Sequence, residues 1–186
     1  MKPTQPGKPI QPAPNLYLIG FRCTGKTSVG KTLAQILGRP FTDADRALEE
    51  HACATVARIV ARDGWSVFRK MEKEVLARLA GMDGQIVATG GGVVIDLQNR
   101  AVLKQSGTTV WLRASAETIL SRMGADAQTG SLRPALTDKG LEEEVRDTLA
   151  RRKPLYAEAA DLTVDTDGKT IETVCNLVLA ELRNVE

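Results

Sequence analysis

The 186-residue chain has a single histidine, His51, and only three cysteines, Cys23, Cys53 and Cys175, which lie far apart. None of these cysteines has metal-type spacing, and an odd number cannot all pair within one chain, so neither a zinc site nor a disulfide framework is expected. A reducing cytoplasm is the setting that fits. The chain also lacks an excess of either charge. Its 25 Lys plus Arg stand against 23 Asp plus Glu, a formal charge of +2, which gives no basis for nucleic acid or an anionic membrane as the main partner. No apolar run approaches membrane-spanning length. The first fifteen residues carry five prolines and no apolar segment, so residues 1–14 read as a flexible leader and not as a signal peptide. What remains is 42% hydrophobic, enough for one good core and too short for two. A single domain over 15–186 is expected, and a monomer.

The most informative stretch is Gly20-Phe21-Arg22-Cys23-Thr24-Gly25-Lys26-Thr27. Before it stands Leu16-Tyr17-Leu18-Ile19, short, apolar and β-favouring. After it, Val29, Leu33, Ala34, Ile36 and Leu37 recur at helical spacing. A glycine-bearing turn that opens a helix offers backbone N–H groups and the positive helix end to an anion such as the β-phosphate of a nucleotide. Gly20, Cys23, Thr24, Gly25 and Ser28 would shape and line this cradle. Lys26 adds a full positive charge near the β- and γ-phosphates, and Thr27 a hydroxyl where a phosphate-bridging magnesium ion needs an oxygen. Such a loop does not name a reaction, since many nucleotide-using proteins share it.

Along the rest of the chain, short apolar runs alternate with longer amphipathic ones. The pattern predicts strands near 16–20, 41, 85–88, 108–113 and 161–165. It predicts a helix over 26–37, helices through roughly 45–80, and further helices around 95–105, from 115, near 139–152 and from 169. That is an α/β domain with a doubly wound parallel sheet of five strands flanked by helices, whose ligands bind beyond the carboxyl ends of the strands. The stretch 124–131 is polar, glycine-bounded and aperiodic, and reads as a mobile loop.

Three further clusters carry chemistry. Asp43 and Asp45 close the second strand, where one carboxylate would hold hydrated magnesium while the other accepts a hydroxyl proton; a helix start capped by an aspartate explains them equally well. Arg69 and Glu72 stand one turn apart, a spacing that suits a helical ion pair worth about 0.5 kcal/mol. Gly90, Gly91 and Gly92 follow a buried strand, and three consecutive glycines suit either a close approach of backbone to a ligand or a plain flexible turn. His51 reads as a surface or packing residue on a helix, not as a base.

Taken in order, the phosphate loop, Asp43-x-Asp45, Phe68-Arg69-x-x-Glu72, Gly90-Gly91-Gly92, Arg133-Pro134-x-Leu136 and Arg152-x-Pro154-Leu155-Tyr156 resemble the shikimate kinase family, from about Asn15 to Leu182. The resemblance implies a P-loop kinase fold with a helical substrate-binding segment and a lid at about 124–138. It implies transfer of phosphate from ATP, with Mg2+, to shikimate on the route to chorismate and the aromatic amino acids. By the same resemblance Asp45 would bind the shikimate hydroxyls and assist deprotonation, and Asp43 would order the magnesium shell. Arg69 and Arg152 would grip the substrate carboxylate, a task suited to the guanidinium fork. Gly91 would contact the ring, with Gly90 and Gly92 shaping the turn. Arg133 would neutralise charge on the transferring phosphoryl group from the lid, and Arg122 would pack near the adenine. The turn Asp165-Thr166-Asp167-Gly168 suits either a wrap around the adenine or a simple strand-to-helix turn.

Some positions depart from the family pattern. Cys23 stands where glycine is usual in the phosphate loop, Trp65 where glutamate is often found, and Cys53 where glycine is common. None of these removes a residue assigned to chemistry.

Overall fold

The computed structural model describes residues 14–125 and 140–185. Five strands, β1 (Asn15–Ile19), β2 (Phe41–Asp43), β3 (Ile86–Ala88), β4 (Gly107–Arg113) and β5 (Leu162–Asp165), form one sheet in the order β2-β3-β1-β4-β5. Every pairing is parallel. The sheet is covered on both faces, which is why its central strands read as unbroken apolar runs instead of alternating ones. The twofold period of side chains then divides each strand between two cores. Tyr17, Ile19, Val87 and Trp111 enter one core, and Leu16, Leu18, Ile86, Val110 and Leu112 enter the other.

The second core is closed by α1 (Lys26–Leu37) through Val29, Leu33 and Ala34, and by α7 (Ile171–Val185) through Val174, Cys175 and Val178. The first is closed by α3 (Val56–Ala80), α4 (Leu97–Ser106) and α6 (Leu141–Ala159). A third, small cluster joins Phe21 to Ala116 and Ile119 of α5 (Ala116–Ala125) and to Val145 of α6. Gly124 and Ala125, expected in the mobile loop, lie within α5.

The helix breaks and ends have identifiable reasons. The helices read through 45–80 are α2 (Ala44–Ala52) and α3, with Cys53 left-handed (φ 49°) between them. Within α3, Gly64 (φ 80°, ψ 170°) breaks the helical path, a conformation that a Cβ-bearing residue would resist. The helix expected over 139–152 continues through Pro154 to Ala159. Proline removes one backbone donor there, but Tyr156 and Ala159 are fully buried in the core and hold the last turns in place.

The strand order decides where chemistry can gather. β1 lies between β3 and β4, so the loop after β1 and the glycine turn after β3 emerge side by side. The register aligns Leu18, Ala88 and Asp43 across three strands, so the segments starting at Gly20, Thr89 and Ala44 leave the same carboxyl edge together.

Candidate active site

The nucleotide end is built almost wholly from one segment. Cys23 (φ 61°) and Gly25 (φ 92°) are both left-handed, the kind of backbone in which successive amides form an anion-binding concavity. Gly20 (φ 144°) has no room for a side chain, since a Cβ would lie 2.5 Å from the Leu112 carbonyl oxygen. Thr24, fully buried, donates from Oγ1 to the Phe21 carbonyl at 2.9 Å and pins the turn. Lys26 donates from Nζ to the carbonyls of Gly20 (3.0 Å) and Phe21 (2.7 Å), which holds its ammonium over the loop. Helices α2, α3 and α4 are capped by the side chains of Asp43, Thr55 and Asp96, whereas α1 begins at Gly25 with no side-chain cap. Its first amides are thus left to a ligand.

Beside this cradle, Thr27 donates from Oγ1 to Asp43 Oδ2 at 2.9 Å. The other oxygen of Asp43 accepts from the amides of Asp45 (3.1 Å) and Arg46 (3.3 Å). The two readings of Asp43 are therefore compatible, since one oxygen caps α2 while the other meets the hydroxyl at the phosphate end. Arg122 of α5 donates to the Cys23 carbonyl (3.2 Å) and to the Thr166 carbonyl (2.7 Å), tying the loop to the turn after β5. Cys23, Ser28, Arg122, Thr166 and Lys169 border a groove along the flank of α1. The turn itself is firmly anchored, because the Asp167 carboxylate accepts from the Ser115 amide at 3.0 and 3.1 Å. Burial would raise the Asp167 pKa, but the Ser115 amide and nearby hydroxyls outweigh it and hold the carboxyl below its ordinary value.

The acceptor end is assembled from distant segments. Asp45 from α2, Arg69 and Glu72 from α3, Arg152 from α6 and the turn Gly90–Gly92 all line one pocket. Each glycine of that turn faces a close neighbour. A Cβ on Gly90 would lie 2.6 Å from Asp45 Oδ1 and 2.8 Å from Glu72 Oε1, and a Cβ on Gly92 would overlap the Arg69 guanidinium. On Gly91 it would lie 3.4 Å from the Arg22 amide nitrogen and 3.5 Å from the Gly20 carbonyl oxygen, so the turn runs directly beneath the phosphate loop. At Gly90 and Gly92 a Cβ would push the Asp45, Glu72 and Arg69 side chains out of their present positions, whereas at Gly91 it would make only ordinary contact.

Charge in the pocket is arranged in opposed pairs. Arg69 Nη1 bonds Glu72 Oε2 at 2.7 Å, and the guanidinium also rests against the rings of Trp65 and Phe68. The other oxygen of Glu72 is buried without a hydrogen-bond partner. Burial raises the Glu72 carboxyl above its ordinary value, with Arg69 opposing the shift and Asp45 adding to it. Arg152 donates from Nη1 to the Gly91 carbonyl at 3.1 Å, and the Tyr156 hydroxyl donates to the same oxygen at 2.5 Å. Burial lowers the Arg152 guanidinium below its ordinary value, although an arginine so placed stays charged. Two half-buried guanidinium forks lining one cavity suit a planar carboxylate.

Almost every residue singled out in the sequence lies at one of these two ends; Arg133 lies outside the described residues, as do residues 126–138 of the expected lid. The ion pair expected between Arg69 and Glu72 is present, but in the pocket wall and not on a solvated face. Arg22, Phe21 and Tyr156, to which the sequence patterns assign no role, also reach the site, and Glu144 holds Arg22. Tyr156 carried a signal, its place in Arg-x-Pro-Leu-Tyr; Glu144, one of three consecutive glutamates, carried none.

A parallel sheet ending in this loop, with a lysine above it and an acceptor pocket at its side, defines a P-loop phosphotransferase of the small-molecule kinase type. Residues 22–183 match the family model for shikimate kinase, and the chain belongs to that family. It is 41% identical over 169 residues to the shikimate kinase of Symbiobacterium thermophilum, covering 91% of this chain and 96% of that one. It is 40% identical to the enzyme of Geobacter sulfurreducens, with 91% of each chain covered. Among solved structures it resembles shikimate kinase from Acinetobacter baumannii in complex with shikimate, with a TM-score of 0.87, 35% identity, and coverage of 94% and 95% of the two chains. A gluconokinase from Sinorhizobium meliloti shares the fold alone, at a TM-score of 0.56 and 18% identity.

Proposed function

We propose that the protein transfers the γ-phosphoryl group of ATP to the 3-hydroxyl of shikimate, giving shikimate 3-phosphate and ADP. The observation that carries this reading is the convergence of Asp45, Arg69 and Arg152 on the Gly90–Gly92 turn, directly beside the phosphate loop. The arginines hold the acceptor carboxylate, and Asp45 orients a ring hydroxyl and takes its proton as the phosphoryl group arrives. Lys26 and the amides at the start of α1 hold the nucleotide phosphates in line with that hydroxyl. Catalysis is then mostly positioning and charge neutralisation. Arg133, from the family resemblance, supplies further positive charge to the transferring group.

Thr27 and Asp43 form an oxygen-only pair at the phosphate end, the donor chemistry that suits magnesium, which keeps most of its water and bridges nucleotide phosphates. Thr27 and Asp43 would hold such an ion there, and it would supply neutralisation of the phosphate charge. Among the described residues no helix is long and apolar enough to cross a membrane.

The test is ADP release from magnesium-ATP by the purified protein, with shikimate, gluconate or no acceptor, and the Asp45→Asn variant alongside. Shikimate-dependent release that falls by roughly 10²–10⁴-fold in Asp45→Asn, the range of general-base catalysis, with ATP affinity retained, is the expected result. Faster release with gluconate would replace the acceptor. Shikimate binding without turnover would make the protein a binding module, and near-normal turnover in Asp45→Asn would remove that residue from the base role.

A further inference from the structure

Arg22 belongs to the phosphate loop in sequence, yet its side chain leaves the loop and enters the wall of the acceptor pocket. There Nη2 bonds Glu144 Oε1 at 2.6 Å, with the two side chains only 11% and 3% exposed. Arg22 Nε is buried with no partner of its own. Burying such a pair is costly, and apolar residues of similar volume would often be as stable or more so. Stability alone is thus a poor reason for the pair.

What it joins supplies a better reason. Glu144 and Arg152 stand on the same helix, α6, roughly two turns apart. The Phe21 ring lies under the guanidinium groups of both Arg22 and Arg152, each 5.8 Å from the ring centroid, and Phe21 also packs with Val145 of α6. Arg152 in turn bonds the Gly91 carbonyl, immediately beneath the loop. The outer edge of the phosphate loop is therefore docked on the same helix that delivers an acceptor-binding arginine, and Arg22–Glu144 is the directed, charged part of that contact.

We propose that Arg22 is a positioning residue and that its ion pair with Glu144 couples the two ends of the site, so that a nucleotide on the loop sets the position of α6 and tightens the hold of Arg152 on the acceptor. This rests on the reading of the acceptor as shikimate. Coupling of this kind is a ratio of affinities and is reciprocal between the two ligands.

The experiment measures the dissociation constant of shikimate by calorimetry with and without saturating magnesium-ADP, which binds the loop without allowing turnover. It compares the wild-type protein with Arg22→Met, Glu144→Leu and the double variant. Each single variant leaves one charge of the pair buried without the other and is prone to unfold. The double variant removes both charges while keeping apolar volume, so it retains a folded protein on which the question can be decided. The expected result is shikimate binding tightened by about fivefold or more by magnesium-ADP in the wild type, the lower range of ordinary coupling, and a ratio close to one in the double variant. A wild-type ratio of one, or an unchanged ratio in the double variant, overturns the proposal. Wild-type protein that binds magnesium-ADP but no shikimate overturns the acceptor reading itself, and shows this before any variant is made.

Discussion

The two ends of the site are built in opposite ways. The nucleotide end comes from one stretch, Gly20 to Ser28, and its chemistry is largely backbone: left-handed turns at Cys23 and Gly25 and an uncapped helix start. The acceptor end comes from α2, α3, α6 and the Gly90–Gly92 turn, and its chemistry is charged side chains crowded against glycines. A backbone cradle recognises what all nucleotides share, the phosphates. A pocket of converging side chains recognises one acceptor, because each group must meet a partner or be left buried without one. Cys23 fits this division, since its left-handed φ of 61° satisfies the loop's backbone demand, at a strain that glycine would not carry.

Variants can separate the two ends. The largest effect on binding is expected from Arg152→Ala, which removes one guanidinium from the pocket and one donor from the Gly91 carbonyl. Shikimate binding should weaken by about 2–3 kcal/mol, the size of a charged hydrogen bond, while ATP binding changes little. Equal losses for both ligands in paired titrations would mean that the two ends are not separable. Gly92→Ala should act more gently. At Gly92 (φ −103°) the backbone tolerates any residue, so the whole effect is the methyl group pressing on Arg69. An approximately tenfold rise in the shikimate dissociation constant, about 1.4 kcal/mol, is expected with ATP affinity intact. Retained wild-type affinity would show that Arg69 can shift without cost.

Tyr156→Phe should have the smallest effect, a loss of about 1 kcal/mol of stability for one buried hydrogen bond, while the Gly91 carbonyl keeps Arg152. It also has a pH signature. Burial raises the Tyr156 hydroxyl from its ordinary 10.0 to about 12, with Arg152 opposing. The folded state therefore holds this proton more tightly than the unfolded chain does. The contribution to stability is full below about pH 10 and is lost as pH rises towards 12. Thermal melts across that window should fall more steeply for the wild type than for Tyr156→Phe; parallel curves would contradict the assignment.

Legibility in the sequence followed the same division. The phosphate loop, its flanking strand and helix, and the five alternating strands could be read directly, because each depends on residues adjacent in the chain or on local period. Gly64 gave no periodic sign that it would interrupt α3, since a glycine within a helical pattern is compatible with either continuation or a break. The helical pattern reads only to 152, and a proline at 154 disfavours continuation, yet the burial of Tyr156 and Ala159 carries the helix to Ala159. Spacing alone showed Arg69 and Glu72 as a pair, and only the family resemblance placed Arg69 on the substrate, for spacing along a helix says nothing about which face will be covered. Glu144 was illegible, because Glu142, Glu143 and Glu144 differ only in their direction around α6.

The sequence by itself determined the fold class, the anion-binding loop and the membership of a kinase family, because these rest on contiguous motifs and on hydrophobic period. Only the tertiary structure decided that Glu72 joins Asp45, Arg69 and Arg152 in one pocket, that Gly90 and Gly92 leave room for the charged groups beside them, and that Arg22 reaches across to Glu144. The physical reason is the crossing order of the sheet, which brings the ends of β1, β2 and β3 to one edge and lays α6 against them.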